Sequence, residues 1–259
     1  MLSFAKGVAF VTGGGSGIGQ ATAIMLAKAG VPVAVADIDE SAAQETTARI
    51  KAEGGTARAL TLDVTDRAAI DAAFAEVEDW RGTVTIVVNS AGILRVEPFE
   101  SFAVTDFEAV MNVNVTGSFL VAQRAAPGMK ACGYGRIVNL SSVSGFRAGV
   151  GRTAYGTSKA AVAQLTRQIA LELGPNGITA NAVAPGTTMT KMTAAAYTEE
   201  NKAAFLKMIP AGFIADPADI APSIVFLASE QARYINGHTM PVDGGYLASG
   251  MTQTAGLEL

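Results

Sequence analysis

The chain has 259 residues, 49% of them hydrophobic, and its 19 Lys and Arg against 23 Asp and Glu give a formal net charge of −4. Only 16% of the residues are charged and the mean hydropathy is +0.31, a composition that excludes a disordered chain. A pI near 5.1, with no Lys/Arg run, argues against nucleic acid or an anionic membrane surface as a main partner. One cysteine, Cys132, and one histidine, His238, leave no intrachain disulfide and no Cys/His cluster for a metal such as zinc. No apolar run approaches the roughly 18 residues that a spanning helix needs, so no membrane partner is expected. The glycines at 13–15 cut the first apolar stretch too early for a signal peptide, and a soluble, cytoplasmic setting is the expectation.

In chain order, residues 7–12 (GVAFVT) predict a first strand and 17–30 a first helix. A strand at 31–37, a helix at 40–54, a weaker strand at 56–63 and a helix at 66–81 follow. Then come a strand at 83–89, a long helix at 105–130, a strand at 136–141, a helix at 155–174 and a weaker strand at 177–184. The strand runs are rich in Val and Ile and continuous rather than alternating, as strands buried on both faces of a parallel sheet are. Gly30, Gly54 and Gly174 stand where helix C-caps belong, and Pro127-Gly128 is expected to end or kink the fourth helix early. Strand and helix in alternation imply an α/β domain with a doubly wound parallel sheet and helices on both faces. No linker, repeat or break in composition divides residues 1–259, so one domain is expected. Residues 187–212 interrupt the pattern and are rich in Met, Phe and Tyr; they are expected to form a lid over a binding site, the alternative being an ordinary surface insertion.

The turn after the first strand reads Thr12-Gly-Gly-Gly-Ser-Gly-Ile-Gly19. Glycines there let backbone N–H groups and a helix N-terminus approach a pyrophosphate with no Cβ in the way. The spacing of Gly13, Gly17 and Gly19 is G-x3-G-x-G, neither the commonest dinucleotide fingerprint nor a P-loop, and a purely structural turn is the alternative. Asp37 ends the second strand, 18 residues after Gly19, where a carboxylate can accept hydrogen bonds from adenosine ribose hydroxyls and repel the 2′-phosphate of NADP. Ser16 and Ile38, the neighbours that could offer a compensating cation, are not basic, so NAD is the expected cofactor. Asp37 could instead cap the next helix, a task open also to Asp39 and Ser41.

Tyr155 and Lys159 stand at i and i+4 of a predicted helix and share one face. A phenol with a pKa of about 10 is a poor base at neutral pH. An ammonium about 5 Å away, at an effective dielectric of about 20, is worth roughly 3 kcal/mol and pulls the phenol toward its working range.

Taken with Asp63-Val64, Asn89-Ser-Ala-Gly92, Asn114, Ser141-Ser142, Pro185-Gly186 and the ending 236–245 (NGHTMPVDGG), these residues resemble the short-chain dehydrogenase/reductase superfamily along nearly the whole chain. The 13 residues from Ser142 to Tyr155 agree with that pattern. The resemblance implies a Rossmann-like fold and a role for each matched position. Tyr155 would be the general acid/base, and Ser142 would hold the substrate oxygen. Lys159 would lower the tyrosine pKa and bind the nicotinamide ribose, and Asn114 would fix a water that relays the proton. Asp63 and Val64 resemble a pair that contacts adenine. Asn89, Ala91 and Gly92 match a turn beside the cofactor, and Pro185, Gly186, Thr188 and Thr190 match a segment at the nicotinamide amide. Ser90 departs from the family, which often has a second Asn there. The duller alternatives are that Asn114 bridges backbone groups in a helix kink and that Ser142 simply caps a turn.

Residues 143–153 and the 187–212 segment are expected to wall the substrate, with Met189, Met192, Phe205 and Met208 as an apolar cover or as the segment's own core. Arg147 and Arg152, and more remotely Arg95, could meet an anionic substrate group, or could face solvent or another subunit. His238 is read as structural. The function expected is NAD-dependent interconversion of a secondary alcohol and a ketone, with a small-molecule substrate. A 3-oxoacyl thioester reductase and a non-catalytic dinucleotide sensor are the rivals. The resemblance also implies a homotetramer, with contacts through the helices beginning near 105 and 155 and through the last strand, and with residues 248–259 reaching a neighbouring subunit.

Overall fold

The computed structural model describes residues 2–194 and 198–250. Its first half alternates strictly: β1 (Val8–Thr12), α1 (Gly17–Lys28), β2 (Val33–Asp37), α2 (Glu40–Ala52), β3 (Ala57–Thr61), α3 (Arg67–Arg81) and β4 (Val84–Asn89). Then follow α4 (Val104–Met111), α5 (Ser118–Cys132), β5 (Gly135–Leu140), α6 (Thr153–Leu173), β6 (Ile178–Pro185), α7 (Lys191–Ala194), α8 (Glu199–Leu206), α9 (Pro217–Leu227) and β7 (Thr239–Val242). All seven strands pair in parallel, in the order β3-β2-β1-β4-β5-β6-β7. Helices cover both faces, as the sequence pattern requires of a doubly wound sheet.

The core follows from strand alternation. Ala9 and Val11 of β1 point to one face, where they join Leu26, Ile50, Ile220, Ile224 and Leu227 from α1, α2 and α9. Val8 and Phe10 point to the other, with Ile70, Phe74 and Val77 of α3 and Val121 and Met129 of α5. The rings of Phe10 and Phe74 stack at 4.4 Å between centroids. Every position of β1, β4, β5 and β6 is buried, which is why these runs are continuous rather than alternating.

Register sets the upper edge of the sheet. Thr12 pairs with Ala36 and with Asn89, and Asn89 pairs with Asn139, so β1, β2, β4 and β5 end level. The chain reverses its winding between β1 and β4, and a crevice opens above such a point.

Two local expectations need correction. The helix at 105–130 is interrupted by a wider π turn at Asn112–Gly117. Pro127 does not end the helix, which runs to Cys132. Pro127 lies on the exposed face above exposed Gln123, whose carbonyl loses its helical partner to solvent, while Ala125 and Met129 hold the other face in the core. Gly30 and Gly54 take left-handed backbone just past α1 and α2, and Gly174 is the C-cap of α6 as expected, with right-handed backbone at φ −52°. The reversal after α6 is delayed through a 3-10 turn to Gly177. Among the described residues, no helix is long and apolar enough to cross a membrane.

Candidate active site

A cleft of about 380 Å³ lies along the C-terminal ends of the strands. Of the sequence-predicted residues, Gly13, Ser16, Gly17, Ile18, Asp37, Ile38, Asp63, Val64, Ala91, Gly92, Ser142, Tyr155, Lys159, Pro185, Gly186, Thr188 and Thr190 line it. Gly19, Asn89 and Asn114 do not.

Those three lie beneath the lining. A Cβ on Gly19 would stand 2.1 Å from the Gly13 carbonyl oxygen, so this position admits only glycine if the turn is to close. Buried Asn89 donates from Nδ2 to Asn139 Oδ1 (2.9 Å) and to the Ser118 carbonyl (3.1 Å), fastening β4 to β5 and α5. Asn114, fully buried in the π turn, clamps the chain after β4. Its Oδ1 accepts from Ile93 N (2.8 Å), and its Nδ2 donates to the Ile93 carbonyl (3.1 Å) and to Ser158 Oγ (2.9 Å).

At the turn after β1, Gly13 takes φ +62°, and a Cβ there would come within 2.8 Å of Ala91 N. Thr12 Oγ1 accepts from Ser90 N and Ala91 N, both at 3.2 Å, which locks this turn to the end of β4. Ser16 makes no side-chain cap, so the first N–H groups of α1 stay available beside the cleft. Asp37 accepts from Gly15 N (2.9 Å) and from Asp39 N (3.0 Å). Asp39, not Asp37, caps α2, through Ala42 N. A cradle without side chains, uncapped helix N–H groups and a carboxylate at the next strand end fit a dinucleotide pyrophosphate with its adenosine ribose.

At the other end, α6 begins at Thr153, two residues earlier than expected, and carries Tyr155 and Lys159 on one face. Lys159 is buried, and its Nζ donates to the Leu140 carbonyl at 2.7 Å. The same nitrogen lies 5.6 Å from the centre of the Tyr155 ring. Burial pushes the Lys159 ammonium down to about 8, which still leaves it mostly charged at neutral pH. Ser141 Oγ donates to the Lys159 carbonyl and Ser158 Oγ to the Tyr155 carbonyl, so α6 is pinned at both positions. Ser142 lines the cleft and also caps the turn Val143–Gly145, accepting from Ser144 N at 3.1 Å.

Comparison with known proteins agrees with this geometry. A family model described as "Enoyl-(Acyl carrier protein) reductase", of the short-chain alcohol dehydrogenase type, matches residues 13–247. The chain belongs to the short-chain dehydrogenase/reductase superfamily. This short-chain dehydrogenase/reductase is 37% identical over 239 residues, 92% of its own length and 95% of the relative's, to a 2,5-dichloro-2,5-cyclohexadiene-1,4-diol dehydrogenase of Sphingobium indicum. It is 38% identical over 239 residues, 92% and 96% of the two chains, to a 3-oxoacyl-[acyl-carrier-protein] reductase of Aquifex aeolicus. A solved candidate gluconate dehydrogenase of Agrobacterium tumefaciens superposes with a TM-score of 0.93 at 33% identity, covering 96% of this chain and 98% of that one.

In this short-chain dehydrogenase/reductase, sequence reasoning missed several cleft residues. Leu62, Ile93, Leu94, Ser144 and Tyr246 line it, and Tyr246 comes from the far end of the chain. Only Ser144, inside the 143–153 wall, carried a signal. Of the four expected cover residues, Met192 and Phe205 reach the cleft, while Met189 and Met208 do not line it. Arg95 lies outside the cleft lining and pairs with Asp106 at 3.6 Å. Residues 251–259 of the expected intersubunit tail lie outside the described residues.

Proposed function

We propose that this chain is an NAD(H)-dependent oxidoreductase that interconverts a secondary alcohol and a ketone. The observation that carries the reading is the Tyr155–Lys159 pair, held in one cleft with an acidic residue, Asp37, at the end of β2. Asp37 favours NAD by placing negative charge where the 2′-phosphate of NADP would lie. The glycine turn and α1 hold the pyrophosphate, and Lys159 holds the nicotinamide ribose. A bound nicotinamide supplies the hydride acceptor in oxidation and the hydride donor in reduction.

The chain's own residues manage the proton. In oxidation the hydroxyl proton passes to the Tyr155 oxygen, and in reduction the same oxygen returns it. Ser142 donates a hydrogen bond to the substrate oxygen and keeps it beside the phenol. The Lys159 ammonium favours the phenolate, and its own charge is kept by the Leu140 carbonyl in an otherwise desolvated place. Asn114 supports this end by holding Ile93 and Ser158 in place beneath the cleft.

The described parts of the 187–212 segment, residues 187–194 and 198–212, act as the lid. Thr188 bridges to Ala215, Met189 N donates to the Ala215 carbonyl, and Ala215 N donates to the Thr187 carbonyl, so the two ends of the segment are tied together. Met192 and Phe205 then close over the cleft. Val104, Phe119 and Leu171, left exposed on α4, α5 and α6, support assembly of the enzyme as a homotetramer.

The test is turnover of a panel of diols, polyols, cyclic alcohols and hydroxy acids, followed by the absorbance of reduced nicotinamide, with NAD and NADP in parallel. Turnover with NAD well above that with NADP is expected; the reverse order overturns the cofactor assignment. A second reading, a 3-oxoacyl thioester reductase, is favoured by the identity to the Aquifex relative. Asp37 weighs against it, because that reduction commonly draws on NADPH.

A further inference from the structure

The charges along the cleft are sorted by sign. Its lining carries two carboxylates, Asp37 and Asp63, both on the β2 and β3 side of the sheet. The charged groups on the opposite side, from β5 into α6, are all cations: Arg147, Arg152 and Lys159. Two of these three are engaged by the protein. Lys159 donates to the Leu140 carbonyl. Arg147 donates from Nη2 to the carbonyls of Leu247 (3.2 Å) and Ser249 (2.8 Å), and its guanidinium lies 5.5 Å from the centre of the Tyr246 ring.

Arg152 is different. Half-buried on the cleft wall, its guanidinium makes no hydrogen bond or ion pair with any described residue. Its stem lies over Gly149, where a Cβ would stand 3.0 Å from Arg152 Cδ, so the absence of a side chain there makes room for it. An arginine with five donors, partly desolvated and without an internal acceptor, is a standing site for a planar anion.

We propose that Arg152 is a specificity-determining residue that pairs with a carboxylate of the substrate, and that the natural substrate is a small hydroxy acid or its keto acid. This rests on the oxidoreductase reading above and narrows it. Arg152 is the N-cap residue of α6, three residues before Tyr155, and both line the same cleft, so an anion paired with Arg152 shares that cleft with the reacting oxygen. Two groups on one cleft wall suit a small substrate that carries its carboxylate on the same short carbon chain as the carbinol. They do not suit the phosphates of an acyl thioester, which lie a whole pantetheine arm away from the reacting group.

The experiment compares 3-hydroxybutyrate and gluconate, each beside its own carboxamide, in the parent enzyme and in Arg152→Gln, Arg152→Lys and Arg147→Gln. The parent is expected to prefer at least one acid over its amide in kcat/KM, chiefly through KM. Arg152→Gln lowers that acid-to-amide ratio by roughly tenfold to a hundredfold, the usual worth of a charge-assisted hydrogen bond. Arg152→Lys, which keeps the charge but not the fork, restores part of it. Arg147→Gln, which frees the turn at 246–249, affects acid and amide alike. A parent without acid preference, or a preference that survives Arg152→Gln, overturns the proposal.

Calorimetric titration of the same two acids into enzyme carrying NADH, a combination that cannot react, separates the two levels of the argument. Arg152-dependent binding without turnover of any substrate would leave the anion site standing and sink the oxidoreductase reading. Turnover of neutral alcohols, with neither acid bound nor preferred, would do the opposite.

Discussion

The turn between β1 and α1 and the loop between β5 and α6 open onto the same cleft but are held by different means. The first is a tight backbone object: Gly13 and Gly19 approach each other and the end of β4 so closely that a Cβ would collide, and Thr12 ties the turn to Ser90 and Ala91. The second is exposed along 146–150, with Val150 fully exposed, and is anchored through Arg147 to carbonyls about a hundred residues away in the chain. The difference teaches where this enzyme keeps its rigidity. The end proposed to take the invariant dinucleotide is built into the sheet edge, whereas the end proposed to take the variable substrate is assembled from loops that can be exchanged without disturbing the core.

The sharpest way to break the comparison is to remove chemistry while leaving both ends in place. Tyr155→Phe is expected to lower kcat by about a thousandfold or more, with NAD affinity, measured by calorimetry, close to that of the parent. Loss of NAD binding to the same degree as turnover would contradict a separate catalytic role for the phenol.

Next in size is an assault on the rigid end. In Gly19→Ala the new Cβ meets the Gly13 backbone, which cannot swing away as a side chain can. The expected cost is on the order of 3 kcal/mol in denaturant unfolding, with weakened NAD binding. An alanine variant as stable as the parent would show that the turn is less constrained than its geometry.

Lys159 lies in α6 with its ammonium against the end of β5, and pH reads its burial. Its ammonium in the folded protein titrates near 8, below the ordinary lysine range near 10.5, so the unfolded chain binds more protons between these values. The burial penalty is therefore fully present below pH 8 and is relieved as pH rises from 8 toward 10.5. Relative to Lys159→Met, the parent should gain stability over that window, by up to about 3 kcal/mol. Parallel unfolding curves at neutral and alkaline pH check the sign; a gap that does not move would mean that Lys159 keeps its ordinary proton affinity.

The smallest effects belong to the exchangeable end. Met192→Ala and Phe205→Ala are expected to raise the substrate KM a few-fold while changing stability by no more than about 0.5 kcal/mol, since neither is buried in the core. A large loss of stability would make these residues part of the segment's own core rather than its cover.

How much was legible in the sequence follows the same division. Continuous Val/Ile runs announced a sheet buried on both faces, and glycines with an aspartate at the next strand end announced the tight turn beside the cleft, because these are short-range requirements written in consecutive residues. Tyr155 and Lys159 were legible because helical periodicity places i and i+4 together wherever the helix lies. Whether Pro127 would end the helix or only bend it was not legible, because a proline's effect depends on which face of the helix meets the core. The π turn around Asn114 had no local mark, since it depends on a clamp to Ile93 and Ser158.

By itself, then, the sequence determined the layered α/β architecture, the glycine turn with Asp37, and the pairing of phenol with ammonium. Tertiary structure alone decided that Tyr246 reaches the cleft, that Arg147 is bound to the 246–249 turn, and that the Arg152 guanidinium on the wall has no hydrogen-bond or ion-pair partner among the described residues. The physical reason is range. Periodicity and backbone sterics act over a few residues, whereas whether a surface cation finds a carbonyl depends on which distant segments the closed sheet brings beside it.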